Sequence, residues 1–191
     1  MKISIPCALS LALLANICSA GGEPLKAVLD SAQRQRLSGH FPEAESLILN
    51  VLQKDPQSYR ANYLLGLTYS DAKKPVLAVN ALKKASDLRE VTASKDYTIY
   101  NALGLAYMEI GDFANAKTNL SKGVAAKDFL SSDSYARVAN NLALVYLSEG
   151  NVEKAAPLLK QSASAGNKMA QFNLSLLTSV NNASVAPSVT K

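Results

Sequence analysis

The chain has no tryptophan, one histidine and two cysteines among 191 residues. These shortages exclude much chemistry before any motif is sought. A single histidine, His40, cannot build a histidine-based metal cluster or a histidine pair. As a catalytic base it would need a nucleophile and an orienting group beside it. No phosphate-binding loop, paired-carboxylate site or serine-hydrolase elbow is present. Glu43 and Glu45 are two apart and cannot share a helix face, and Glu149 and Glu153 straddle a Gly150-Asn151 turn. His40 sits in Gly39-His40-Phe41 and reads as a solvated turn residue. The expectation is therefore no catalytic, cofactor-binding or metal site, and a protein that is not an enzyme. Charge is sparse too: 18% of residues, with a net +5. That excess is too mild to argue for nucleic acid, and the basic pairs Lys73-Lys74 and Lys83-Lys84 lack interleaved aromatics. They read as solvated outer faces with at most a soft attraction to acidic partners or an anionic envelope surface. Hydrophobic residues make up 48%, ample for a buried core.

Part of that apolar content lies at the start. Lys2 is followed by an uncharged, almost wholly apolar run from Ile3 to Ile17, then Cys18-Ser19-Ala20 and Gly21-Gly22. This order of basic start, apolar stretch and small residues is that of a secretory signal, predicted over 1–20. The run is short for a membrane-spanning helix, which needs about 20 apolar residues. Removing 20 of 191 residues leaves 171, and losing Lys2 lowers the net charge from +5 to +4. Both cysteines, Cys7 and Cys18, leave with the signal, so the mature chain is expected to hold no thiol, disulfide or thiolate metal ligand. The alternative is an outer-membrane lipoprotein anchored through Cys18. It is disfavoured because Ile17 stands where a small residue is wanted.

The remainder repeats itself. Small residues recur at Ala32, Gly66, Gly104 and Ala143, at spacings of 34, 38 and 39. Leu65, Leu103 and Leu142 precede three of them, and Tyr69, Tyr107 and Tyr146 follow three residues later. Leucine and tyrosine four apart share one helix face. Gly39, Gly111 and Gly150 then close a first helix, and Ala44, Ala78, Ala116 and Ala155 mark a second one. The second repeat has Lys73-Lys74-Pro75 in place of the glycine, with Pro75 suited to begin the next helix. Pro56 closes the first repeat, and Asp133 or Ser132 is the expected N-cap of the fourth. The extra residues of the longer spacings fall around Arg89–Asp96 and Asp128–Asp133.

This pattern, above all Tyr100-Asn101-Ala102-Leu103-Gly104-Leu105-Ala106-Tyr107 with Gly111-Asp112-Phe113 and Ala116, resembles the tetratricopeptide repeat (TPR) family over about 25–165. The stretch from Lys154-Ala155-Ala156 through Ala165-Gly166-Asn167 to Leu174 is also similar to Sel1-like repeats. The resemblance implies an all-α, TPR-type right-handed superhelix (an α-solenoid) of about four helix-turn-helix repeats. They are placed at about 25–57, 59–90, 97–128 and 136–167, followed by a capping helix at 168–179. The repeat domain is thus 21–179, and 180–191 is expected to be a flexible tail.

In that family the first helices line a concave groove that binds peptides. The resemblance places Tyr63 and Leu67 there from the second repeat, and Asn101, Leu105 and Met108 from the third. Arg137, Asn140, Asn141, Leu144 and Leu147 come from the fourth, and Phe172 and Asn173 extend the line. Asparagine can bond a peptide backbone as donor and acceptor, while Leu and Met can hold an amphipathic segment. The family's clamps for a terminal carboxylate need Lys and Asn in the first helix and further Asn, Lys and Arg. Here those positions carry Leu and Tyr, and Arg137 stands alone, so that ligand is not implied. The expected function is a non-enzymatic protein–protein interaction scaffold, periplasmic or extracellular. It is expected to bind a peptide or partner helix in assembly of a bacterial envelope system (pilus, secretion or outer-membrane machinery). The alternative is a structural, self-assembling repeat protein without a peptide ligand.

Overall fold

The computed structural model describes residues 24–92 and 94–184, so the signal expected over 1–20 lies outside the described residues. Among them are nine α-helices: α1 Leu25–Leu37, α2 Phe41–Lys54, α3 Tyr59–Asp71, α4 Pro75–Thr92, α5 Ile99–Glu109, α6 Phe113–Ala125, α7 Ser132–Ser148, α8 Val152–Ser164 and α9 Lys168–Ser184. They form four antiparallel hairpins, α1/α2 to α7/α8, followed by α9. Each helix packs on the next in the chain, and the first helices touch one another from hairpin to hairpin (α1 on α3, α3 on α5, α5 on α7). The result is a two-layer solenoid with first helices on one side and second helices on the other. No helix among the described residues is long and apolar enough to cross a membrane.

The small residues do what their spacing implies. Ala32, Ala44, Ala78, Ala116 and Ala155 are fully buried. Gly66 and Gly104 lie where a second helix presses hardest: an added Cβ would fall on the side chain of Leu82 in one case and Leu120 in the other. Ile48, Leu82, Leu120 and Leu159 fill the seam of each hairpin. Burying such a side chain stabilises by roughly 1.5–3 kcal/mol.

One turn joins the helices of every hairpin. Gly39, Gly111 and Gly150 adopt left-handed φ of 79°, 77° and 73°. The next residue's N–H then donates to a carbonyl five back, as in Asp112 to Tyr107 at 2.9 Å and Asn151 to Tyr146 at 2.8 Å. Lys73 takes the same conformation at φ 58° without glycine's freedom, and Lys74 donates to Tyr69 at 2.9 Å. Pro75 does open α4. The N-cap of α7 differs from the expectation of Asp133 or Ser132. Ser131 has the extended backbone, and its hydroxyl accepts from the Ser134 N–H at 3.2 Å, leaving Ser132 and Asp133 inside the first turn.

The two longer linkers are pinned together. Helix α4 runs to Thr92, just past the expected end of the repeat at about 90, and Arg89 in its last turn is buried. Its guanidinium lies 4.0 Å from the Tyr97 ring centre and 5.3 Å from that of Tyr100. Arg89 also donates to the Asp96 carbonyl at 3.0 Å. The other face of Tyr97 stacks on Phe129, 4.8 Å away in the next linker. Where a cap ending at 179 was expected, α9 continues to Ser184. Most of the expected tail, 185–191, lies outside the described residues.

Candidate concave interaction face

Five of the residues expected in the groove come together on the first-helix side. Tyr63 and Leu67 of α3, Asn101 and Leu105 of α5 and Arg137 of α7 line one concavity of about 450 Å³, with Thr98, Ala102, Ser134 and Val138. Tyr63 and Leu67 also border an adjoining cavity of about 480 Å³ lined by Gln33, Arg36, Tyr59, Arg60, Leu64, Ser94 and Asp96. The solenoid positions these side chains because its first helices lie side by side, each presenting the same turn positions to the concave side.

Two of the other expected groove residues turn inward. Asn140 is buried, and Leu147 packs into a small core with Ala143, Ala155, Leu159 and Ala170. Met108 is half-buried against the main core. Asn141 and Leu144 are half-buried. The asparagines engage one another. Asn141 donates to Asn101 at 2.9 Å, Asn140 to Asn141 at 3.3 Å, and Asn173 to Asn140 at 3.1 Å. This amide ladder crosses from α5 through α7 to α9.

The ladder reveals a register that the sequence also carries. Asn141-to-Asn101 and Asn173-to-Asn140 are the same contact one repeat apart. Ala170-Gln171-Phe172-Asn173-Leu174-Ser175-Leu176 then aligns with Ala61-Asn62-Tyr63-Leu64-Leu65-Gly66-Leu67. Helix α9 is thus the first helix of a fifth unit. Phe172 corresponds to Tyr63, and Leu176 to Leu67, Leu105 and Leu144. Phe172 is 57% exposed, Leu176 48% and Leu105 41%. Leu176 was not among the expected groove residues. The shared Ala-x-aromatic-x-Leu-small-Leu spacing was the signal that could have found it.

The α1–α3 end is electrostatically different. Asp30 binds Arg60 across the helices and Lys26 along its own at 3.3 Å, and Arg36 binds Asp71. The Arg60 hydrogen bond holds the Asp30 carboxyl below its ordinary range. Tyr59 donates to Asp96 at 3.0 Å, and Tyr63 shares a 3.0 Å hydrogen bond with Thr98. Burial pushes both phenols up, with the Asp96 charge adding to the rise at Tyr59. They stay neutral and act as hydrogen-bonding walls. Arg137, by contrast, pairs among the described residues only with Asp133 in its own helix, at 2.5 Å, and is well exposed. His40 caps no helix with its side chain; its ring bonds Gln35 at 3.0 Å on the surface. Among the described residues no group of three or more His, Cys, Asp and Glu is placed to hold a metal ion.

Solved structures share this arrangement of helices. Pseudomonas aeruginosa PilF superposes with a TM-score of 0.73 at 20% identity, over 83% of this chain and 69% of that one. A Podosopora anserina protein of nearly identical TPR-like repeats gives 0.70 at 21% identity, covering 83% and 86%. MamA of MSR-1 gives 0.61 at 20% identity, covering 84% and 87%. No curated protein sequence matches the chain significantly. The profile of the tetratricopeptide repeat family matches residues 29–90 and 101–170, most of the described chain. The chain therefore belongs to the tetratricopeptide repeat family, whose helical solenoid is the architecture of a protein-interaction scaffold.

Proposed function

We propose that the concave layer of first helices holds a peptide or a helix of a partner protein. In this reading the chain is a non-enzymatic adaptor in assembly of a bacterial envelope machine: a pilus, a secretion system or outer-membrane machinery. The observation that carries the reading is the convergence of Tyr63, Leu67, Asn101, Leu105 and Arg137 around one concavity, with aliphatic side chains partly open to solvent. Such a surface can bury apolar area against a partner while Arg137 and the phenols fix its orientation. The signal-like order of residues 1–20 supports export to the periplasm or beyond.

The test is capture of partners by cross-linking in the native envelope fraction. Leu105→Glu with Leu144→Glu should abolish capture while the helical circular dichroism stays intact. Undiminished capture would place the binding surface elsewhere. A second reading, self-assembly without a foreign ligand, draws on the exposed apolar residues Met169, Phe172 and Leu176 of α9. Light scattering that finds a monomer at every concentration removes it.

A further inference from the structure

A cavity of about 640 Å³ lies where the linker before α7 meets the end of α8, at the edge opposite the hairpin turns. None of its lining residues borders either concave cavity. We propose that it binds an organic phosphate, a phosphate monoester on a small apolar body. Lys127 and Lys160 would hold the phosphate, and Tyr135 and Leu130 the body.

Three segments build the walls. Lys127 and Leu130 come from the linker with its short 3-10 turn, and Ser132 and Tyr135 open α7. The last turn of α8 returns beside them because the two helices are antiparallel. Two hydrogen bonds fix this corner. The Tyr135 hydroxyl donates to the Gln161 carboxamide oxygen at 2.5 Å, and the buried Ser162 hydroxyl donates to the Ala136 carbonyl at 2.6 Å. Walls held in this way need little ordering when a ligand arrives.

Charge, hydrogen bonding and shape select the ligand. The lining holds two lysines and no acid among the described residues. Asp128 and Asp133 stand nearest in sequence, but neither lines the cavity, and Asp133 is bonded to Arg137. Neither Lys127 nor Lys160 pairs with a carboxylate among the described residues. The Tyr135 ring steadies Lys127, whose Nζ lies 5.2 Å from its centre. A phosphate monoester carries about −1.5 to −2 charges at neutral pH and can answer both lysines, whereas a carboxylate answers one. The polar groups left over are mostly donors. The carbonyls of Gln161, Ser162 and Ala163 already accept from the N–H groups of Ala165, Asn167 and Gly166. Accepting from Tyr135 occupies the Gln161 carboxamide oxygen and leaves its amide nitrogen to donate. Ser132 and Ser164 add hydroxyls. Tyr135 is buried and Leu130 half-buried, so the inner wall is apolar. A bare anion would leave that wall wet, whereas an ester carrying a ring or short chain covers it.

The probe is phenyl phosphate, followed through the amide signals of the isotope-labelled protein by NMR. Ser132, Gln161 and Ser164 should shift and saturate together. Binding should be about fivefold or more tighter than that of benzoate or inorganic phosphate. Lys127→Gln with Lys160→Gln should weaken it about tenfold or more. Lys83→Gln with Lys84→Gln, both exposed on α4, removes the same net charge and should change it less than about twofold. Leu105→Glu, on the concave face, should leave it unaltered. Circular dichroism checks that each variant is folded. Vesicles of phosphatidylcholine with phosphatidic acid then identify the source. Sedimentation with them, competed by phenyl phosphate, indicates a lipid headgroup, and its absence indicates a soluble ester.

Benzoate bound as tightly as phenyl phosphate overturns the phosphate assignment. Equal weakening by the α4 pair overturns the site, since charge alone then attracts the ligand. Signals of Ser132, Gln161 and Ser164 that stay unmoved do the same. The concave reading survives each of these results, because the two surfaces share no residue.

Discussion

The two ends of the concave face are built from the same repeat and held together by different chemistry. At the α1–α3 end, ion pairs join successive first helices: Asp30 with Arg60 and Arg36 with Asp71. At the α5–α9 end the same role falls to neutral amides, Asn141 on Asn101 and Asn173 on Asn140. Charges at the first end neutralise one another beside the neutral phenols of Tyr59 and Tyr63. The second end leaves leucine and phenylalanine uncovered. A repeat protein can thus keep one backbone and vary the inter-repeat contact, because each unit meets only its neighbours. The contrast is open to attack from both ends.

The largest effect is expected from the amide end. Asn140 is buried and bonded on both sides. Asn140→Leu removes the partner of Asn173 and of Asn141 together, and leaves polar atoms short of a hydrogen bond. The expected loss is about 1–3 kcal/mol, read as a shift of the denaturation midpoint at constant m-value. Hydrogen exchange should show α9 loosening while α1 keeps its protection. An unchanged midpoint would mean the ladder is incidental and that α9 is held by Ala170, Leu174 and Leu177 alone.

The repeat itself was legible in the sequence, because it is written in residues that backbone geometry demands. Gly66, Gly104 and Ala143 mark close crossings, and Gly111 and Gly150 mark left-handed turns. Such positions tolerate few alternatives, so four imperfect copies sufficed to set the hairpins. The groove was legible only in part. Residues facing one way on a helix share a spacing whether they meet solvent, a neighbouring helix or each other. Spacing therefore placed Asn140 and Leu147 in the groove, whereas packing against α9 draws both inward. Helix α9, expected as a cap, repeats the first-helix spacing of Ala61–Leu67. The Tyr97–Phe129 stack lies between linkers with no periodicity, and nothing local predicts such a contact. The pairing of Arg60 with Asp30 is likewise a meeting of residues 30 apart, invisible until the solenoid superimposes α1 and α3.

A middle-sized effect separates the α3–α4 turn from the turns of the other hairpins, which use Gly39, Gly111 and Gly150. The hairpins containing α5 and α7 turn on Gly111 and Gly150, whereas α3 turns into α4 on Lys73, at the same positive φ. A side chain there costs roughly 1–2 kcal/mol relative to an unstrained backbone. The compensating contact is weak: Lys73 reaches Glu109 at 3.6 Å with 81% of its side chain exposed. Lys73→Gly should therefore stabilise the protein by about 1 kcal/mol, measured by thermal or denaturant unfolding. A neutral or destabilising result would show that the bridge between the halves outweighs the strain.

The smallest effect is expected at the ion-paired end, and its signature is dependence on conditions. The Arg60 hydrogen bond depresses the Asp30 carboxyl below its ordinary 3.8 in the folded chain. A depressed acid stabilises the fold fully above the unfolded value, and that contribution disappears as pH falls through the lower, folded one. Asp30→Asn should thus lower the melting temperature slightly at neutral pH and converge with the parent in strong acid. Concentrated salt should narrow the same gap, because the pair is largely solvated. Asn140→Leu should show neither convergence, since neutral amides do not titrate and are not screened. Parallel pH curves for the parent and Asp30→Asn would mean that Asp30 and Arg60 contribute only shape. The contrast between the two ends would then lie in what they can bind rather than in how they are held.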